Sequence, residues 1–494
     1  MRACAALMAG AFALAIFPIS AIAEENSVLT YHGDNSRSGN FVVPALSWEK
    51  AGSVHLDRTM EARVAGPLYA QPLYWHRANS GTAMLLAATE QDVVQAFDAT
   101  TGRELWRRAV GRPVRRSSLP CGNISPLGIT GTPVIDPASE AIYFDAAVEG
   151  SSGPAHEVFA LSLKDGAVLP GWPIDVAEAL QKAGRHFDPR VQNQRAALTL
   201  FDGTIYVAFG GHFGDCGDYH GWVVGIPLHD PSRIVSFETR ARGGGIWATG
   251  GLSVAGDRLF FATGNTFGAG TWSDGEAVFR VGADLRRSDD KRDYFAPPDW
   301  KILDAHDEDL GGSNPLPLDL PDAAGGRGLM LALGKDRKAY LLDRSDLGGI
   351  GGQLALDTVS RLRIITSPVA YPVDKDVFVA FQAPGAHCPE AGGGHELTVL
   401  KITGGARPAM TTAWCGALSG RGSAIVTTTD GHSNPIVWVL GAEGDNRLHA
   451  FRGDTGEPIF TSEPLDGLRH FQTLIATPDH LYVGADERIY AFGF

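Results

Sequence analysis

LLAATEQDVVQAFDATTGRELW, residues 85–106, is the stretch from which the fold is read. Apolar residues alternate through the first half, Gln91 and Asp92 sit where a turn belongs, and VVQAFDA carries a second strand-like run. Asp98 and Gly102 then supply turn chemistry before the segment closes on Trp106. A pair of strands of this kind cannot bury its own apolar face and must stack on neighbours.

Such neighbours recur along the whole chain. Eight times a small-residue or Thr/Pro lead-in runs into an apolar strand, a turn and a second strand. The lead-ins begin at Ala70, Gly131, Asn193, Ile246, Gly311, Ile365, Gly422 and Gln472. VFALSL (158–163), GWVVGI (221–226), LFFATGN (259–265), AYLLDR (339–344), LTVLKI (397–402), RLHAF (447–451) and the terminal RIYAFGF are later strands of these units. With 61 glycines and 29 prolines and few long helical patterns, the chain reads as all-β. Eight four-stranded sheets stacked around an axis make a closed eight-bladed β-propeller, whose loops converge on the axis. Residues 28–31 are expected to close the ring as a late strand of blade eight, and residues 175–183 to form a short helix.

Residues 1–23 read as a secretory signal, with Arg2, an apolar run over 5–19 and a small-x-small site at Ala21-Ile22-Ala23. Residues 24–494 then form one propeller domain, exported and periplasmic, with no later apolar run long enough to span a membrane. The net charge of −14 disfavours nucleic acid and favours a basic electron-transfer partner. Four of the five cysteines follow the signal: Cys121, Cys216, Cys388 and Cys415. In an oxidising compartment they suggest two disulfides, with three pairings open. No Cys-x-x-Cys-His is present, so no c-type haem attaches by that route. Neither a phosphate-binding loop nor a Gly-x-Ser-x-Gly elbow occurs. His212, Asp215 and His220 in GGHFGDCGDYHGW follow no metal-binding spacing and read as a loop lining the central funnel.

The segment Ala96 through Trp106 resembles the tryptophan-docking repeat of the quinoprotein alcohol dehydrogenase superfamily, Ala-x-Asp-x-x-x-Gly-x-x-x-Trp. A partial copy lies at AFRGDTGEPIF, residues 450–460, with Arg452 and Phe460 in place of Asp and Trp. Four further features resemble the family in its own order. Gly243-Gly244-Gly245-Ile246-Trp247 is similar to the run whose Trp lies beneath pyrroloquinoline quinone (PQQ), and Ala262-Thr263-Gly264-Asn265 to the strand end whose Asn binds calcium. Glu308-Asp309-Leu310 falls where the family carries its catalytic Asp, and residues 335–344 resemble the segment whose basic residue, here Lys335, contacts the quinone.

The resemblance implies PQQ on Trp247, contacted by Lys335, Asn265 and a carboxylate clamp from Arg195, with calcium on Asn265 and Asp309. Asp309 is implied as the base that takes a hydroxyl proton. The implied reaction is oxidation of an alcohol, sugar or hydroxylated polymer, with electrons leaving to a separate acceptor such as a cytochrome c. The chain also departs from the family. Cys121 stands alone where a vicinal cysteine pair is usual, the Arg beside that pair is replaced near Thr130, and the calcium-binding Glu of blade three has no match. Cys216 falls close to that Glu position, flanked by Asp215, taken as a further metal ligand, and Asp218. On this alignment Cys121 and Cys216 lie in loops of one face, where a disulfide would replace the vicinal pair. The departures equally suit a cofactor-free propeller acting as a binding or outer-membrane assembly scaffold. Each residue also has an ordinary reading: Trp247 as inter-blade packing, Asn265 as a turn residue, Asp309 as part of a solvated acidic loop, Lys335 as a surface ion pair and Arg195 as a tie between blades. A hydrolase or lyase using the acidic funnel is the weakest fit, because no carboxylate pair stands at a defined spacing.

Overall fold

The computed structural model describes residues 26–77, 83–320, 328–389, 396–405 and 407–494, so the proposed signal stretch lies outside the described residues. Alternating apolar residues build eight antiparallel sheets arranged as a propeller. Blade one contains Leu73–His76, Ala83–Ala88, Val93–Asp98 and Glu104–Ala109. Blade two follows with Val134–Asp136, Ala141–Gly150, Gly153–Ser162 and Ile174–Asp175, and blade three is built on Thr199–Phe201, Thr204–Gly211, Trp222–Pro227 and Val235–Glu238. Blade four has Ser253–Ala255, Arg258–Thr263, Ala277–Val281 and Tyr294–Ala296; blade five has Leu316–Leu318, Leu329–Leu333, Lys338–Asp343 and Ala355–Thr358. Val369–Val373, Asp376–Gln382, Leu397–Thr403 and Ala409–Gly416 form blade six, and Ile425–Thr428, Ile436–Leu440, Leu448–Arg452 and Pro458–Thr461 form blade seven. Blade eight takes Leu474–Ala476, His480–Ala485 and Arg488–Gly493 from the C-terminus.

The core lies between blades, as stacking demands. Phe144 and Phe159 of blade two pack with Leu86 and Val94 of blade one, and Tyr206 and Phe237 of blade three with Phe261 and Phe279 of blade four. Outer strands are tied to the next blade by tryptophan. Trp106 donates its indole N–H to the Leu163 carbonyl of blade two at 2.9 Å and covers Gly166, whose φ is +68°. Trp414 repeats the arrangement from blade six, bonding to the Gly453 carbonyl at 2.8 Å and covering Gly456 (φ +77°) in the partial motif copy. The Asp98 turn forms as its chemistry requires: its carboxylate accepts from the Thr100 and Thr101 backbone N–H groups, and Gly102 has φ +72°.

Ring closure differs from the sequence expectation. Val28 pairs antiparallel with Tyr74 of blade one, not with blade eight. His55–Leu56 and Ala62–Arg63 supply the outer edge of blade eight, both antiparallel to Arg488–Gly493. A second N-terminal segment, Asn40–Val42, runs parallel to Ile425–Thr428 of blade seven. The segments are too short to show a strand period, but the open edges of blades seven and eight offer unpaired backbone that they satisfy. The short helix is present as Val176–Lys182, capped by the Asp175 carboxylate accepting from Glu178 N–H. Part of the acidic stretch before blade five is also helical, over Trp300–His306, with Asp307 left-handed at its end.

Candidate active site

Segments leading into the innermost strands share one face with turns that join the second and third strands. There they surround a cavity of about 970 Å³ whose lining comes from blades two to eight. The glycine run of blade four explains how Trp247 reaches it. Gly243 and Gly244 have φ +90° and +63°, and a Cβ on Gly243 would lie 2.5 Å from the Asn265 carbonyl oxygen. Freed of side chains, the run threads between neighbouring strands: Gly244 N–H bonds Asn265 O, Gly264 N–H bonds Gly245 O, and Ile246 N–H bonds Phe209 O. That ladder sets the half-buried indole of Trp247 against the cavity.

Asp309 is the polar centre. Its Oδ1 accepts the Asn265 backbone N–H at 2.9 Å, and its Oδ2 accepts the Trp247 indole N–H at 3.1 Å and the Lys335 ammonium at 2.7 Å. Lys335 is shared with Asp307, also at 2.7 Å, and its Nζ stands 5.2 Å from the Trp247 ring centroid. Burial pulls the Lys335 pKa down, but Asp309 and Asp307 more than reverse this and hold it above the ordinary lysine value. Gly264 makes room, since a Cβ there would lie 3.0 Å from the Asp309 carboxyl carbon. Behind Asp309, Glu276 accepts the Leu310 N–H at 2.6 Å, and burial with the nearby Asp309 charge pushes its carboxyl well above the usual range. Its hydrogen bond to Leu310 fixes the backbone that carries Asp309.

Arg195 faces the same cavity from blade three. Its guanidinium lies 5.3 Å from the Tyr69 ring centroid and 4.9 Å from that of Phe471, and among the described residues it makes no hydrogen bond or ion pair; its Nε is buried without a partner. An aromatic-sandwiched guanidinium with free donors is a receptor for a carboxylate. The Asn265 side-chain amide lines the cavity and also has no partner among the described residues. Asp215 lines it too, but accepts the Tyr219 hydroxyl at 2.7 Å.

Sequence reading gave no role to His212 beyond funnel lining, and His212 is there with a more specific feature. It is buried against the cavity with an unpartnered Nε2, and burial lowers its pKa to about 4, so the imidazole is neutral. His220 instead bonds the Thr239 carbonyl at 2.8 Å. Also unforeseen are Phe213 and Leu362 on the cavity lining, 73% and 61% exposed. Their signal in the sequence is only an apolar residue in a polar loop. Of the three pairings open to the cysteines, Cys121–Cys216 and Cys388–Cys415 form. The first clips the blade-two lead-in to the loop that carries His212, Phe213 and Asp215.

A flat polycarboxylate such as PQQ suits this cavity: an indole, an unpaired guanidinium, an ammonium and an unsatisfied amide line it together. Calcium suits it poorly. That ion wants about six to eight oxygen donors, whereas Asp309 already accepts from three N–H donors, Asp215 is held by Tyr219, and His212 offers nitrogen. Among the described residues no group of three or more His, Cys, Asp or Glu side chains is placed to hold a metal, and no helix is long and apolar enough to cross a membrane.

No protein-family signature matches the chain, and no curated protein does. Solved structures do. A quinohemoprotein alcohol dehydrogenase of Pseudomonas putida HK5 superposes with TM-score 0.66 at 13% identity, over 95% of this chain and 80% of that one. Another, from Comamonas testosteroni, gives TM-score 0.63 at 13% identity over the same shares. A europium-containing methanol dehydrogenase gives TM-score 0.65 at 12% identity, over 96% of this chain and 99% of that one. The chain has the eight-bladed propeller fold of the quinoprotein alcohol dehydrogenases.

Proposed function

We propose that the protein is an exported, periplasmic PQQ-dependent dehydrogenase that oxidises an alcohol, a sugar or a hydroxylated polymer and passes electrons to a separate acceptor such as a cytochrome c. The observation that carries this reading is the convergence of Trp247, Asp309, Lys335 and the unpaired Arg195 on one cavity. Trp247 would support the planar cofactor, Arg195 would bind a carboxylate, and Lys335 and Asn265 would donate to its oxygens. When bound, PQQ supplies the two-electron oxidant of the reaction.

The rest of the chemistry belongs to the chain. Asp309 receives the hydroxyl proton. Its ammonium partner already has a second carboxylate at equal distance in Asp307, so Lys335 can move toward Asp307 as the Asp309 charge is neutralised. Glu276 holds the Leu310 N–H, which keeps Asp309 in position while its charge changes. The exposed Phe213 and Leu362 give the lining an apolar surface for the carbon skeleton of the substrate.

The test is titration of the purified protein with PQQ, read by quenching of tryptophan emission, followed by dye-linked oxidation of an alcohol and sugar panel. Saturable binding is expected, with Trp247→Ala weakening it at least about tenfold. Asp309→Asn is expected to keep binding but lower kcat by about 10²–10⁴-fold. No saturation at about 100 µM PQQ, with or without added Ca²⁺, would defeat the proposal and leave a cofactor-free scaffold.

A further inference from the structure

We infer that this cavity takes its ligand without a divalent or trivalent metal ion, the Lys335 ammonium being the cation that neutralises Asp309. The inference rests on the cavity's being the cofactor site proposed above, and it departs from the calcium chemistry that the sequence resemblance implied.

Four observations lead to it. Asp309 is 3% exposed, and its Oδ2 carries two donors, the Trp247 indole and the Lys335 ammonium, while Oδ1 takes the Asn265 N–H. A carboxylate has about four acceptor positions, so three of them are spent on the protein itself. Lys335 is not a loose side chain: it is anchored to Asp307 as well and lies over Trp247, so displacing it would break two ion pairs and a cation–π contact. The remaining groups near the cavity do not replace the lost oxygens. Of the carboxylates on the lining, Asp215 is engaged by the Tyr219 hydroxyl, Asp307 by Lys335, Glu396 by the Gly420 N–H and Glu443 by His470; Glu276 gives one oxygen to Leu310 N–H and lines no part of the cavity, and His212 presents an imidazole nitrogen. A hard cation bound to Asp309 would also stand beside an ammonium already 2.7 Å from that carboxylate, and like charges at that range repel. What the lining offers instead is donors for an anion: the Lys335 ammonium, the unpaired Arg195 guanidinium and the Asn265 amide.

The test uses the full mature protein, dialysed against EDTA and then freed of it. It is titrated with Ca²⁺ and, separately, with Tb³⁺ followed by tryptophan-sensitised luminescence. PQQ binding is measured in EDTA and in Ca²⁺. The expected results are no stoichiometric ion whose binding Asp309→Asn removes, and PQQ affinities equal within about twofold in the two buffers. Lys335→Met, which leaves Asp309 without its counter-cation, is expected to create a Tb³⁺ site that the wild type lacks; should that variant fail to fold, the wild type and Asp309→Asn decide alone. Stoichiometric Ca²⁺ or Tb³⁺ in the wild type, abolished by Asp309→Asn, would overturn the inference. So would PQQ binding that appears only with added metal, an outcome that leaves the proposed dehydrogenase standing. If PQQ fails to bind under either condition, the dehydrogenase reading falls, and the metal titrations still decide this inference.

Discussion

Asp92 shows how a single residue can tie the fold to pH. It occupies the turn of the segment that opened the sequence reading, is fully buried with φ +54°, and neither carboxylate oxygen has a hydrogen-bond partner among the described residues. Burial, reinforced by Glu90, Asp145 and Glu157, pushes its pKa to about 9 from 3.8. A carboxyl whose folded pKa is raised favours folding fully below its unfolded value, and that advantage is lost as pH rises toward the folded one. Glu90, raised by burial to about 7, acts in the same sense. So does the buried His156–Asp145 pair: burial lowers the His156 pKa, the Asp145 carboxylate more than compensates, and the net rise is lost as pH increases. Thermal melts should therefore fall steadily from pH 5 to pH 9. Asp92→Asn keeps the left-handed tolerance and removes the charge, so it should stabilise by roughly 1–4 kcal/mol at pH 7 and match the wild type near pH 4 in denaturant titrations. Arg195→Gln tests the other unpaired group. It should weaken PQQ binding about 10–100-fold with little change in melting temperature, because the guanidinium makes no hydrogen bond or ion pair among the described residues.

Elements are joined by contacts whose strength depends on a few small residues. Gly166 lies under Trp106, and a Cβ there would come within 2.6 Å of the indole at a backbone φ of +68°. Gly166→Val should cost about 2–4 kcal/mol by chemical denaturation, combining overpacking with backbone strain. The Cys121–Cys216 link closes a separation of 95 residues. Replacing both cysteines with serine should lower stability by about 2–5 kcal/mol, and should weaken ligand binding further, because the clipped loop carries the lining residues His212, Phe213, Gly214 and Asp215. The third strands of most blades were legible in the sequence because they are largely buried and strongly apolar, as in GWVVGI of blade three and LTVLKI of blade six. Outer strands such as Ala355–Thr358 and Pro458–Thr461 were not, because half-exposed edges tolerate charge and break the alternation.

At the scale of the molecule the ring holds together through its termini. Backbone hydrogen bonds from His55–Leu56 and Ala62–Arg63 cover the last C-terminal strand, and Trp48 reaches the Pro435 carbonyl of blade seven at 2.9 Å. A chain beginning after residue 64 should expose that strand, melt well below one beginning at residue 24 and aggregate, which light scattering during a thermal ramp would show.

The sequence by itself determined the repeat, and with it the number of sheets, the lead-in of each blade and a later strand in most of them. Strand periodicity and turn chemistry are local properties, written within ten residues of where they act. It also brought Arg195, Asp215, Trp247, Asn265, Asp309 and Lys335 into view, and all six line one cavity. Only the tertiary structure decided what these residues do to one another. The Trp247–Asp309 bond spans 62 positions and the Asn265–Asp309 bond 44, and whether a carboxylate meets an ammonium or stands open to a metal depends on how adjacent blades are set around the axis. Closure was decided at the same level, because an unpaired edge is satisfied by whatever backbone the ring brings beside it, whether or not that segment looks like a strand.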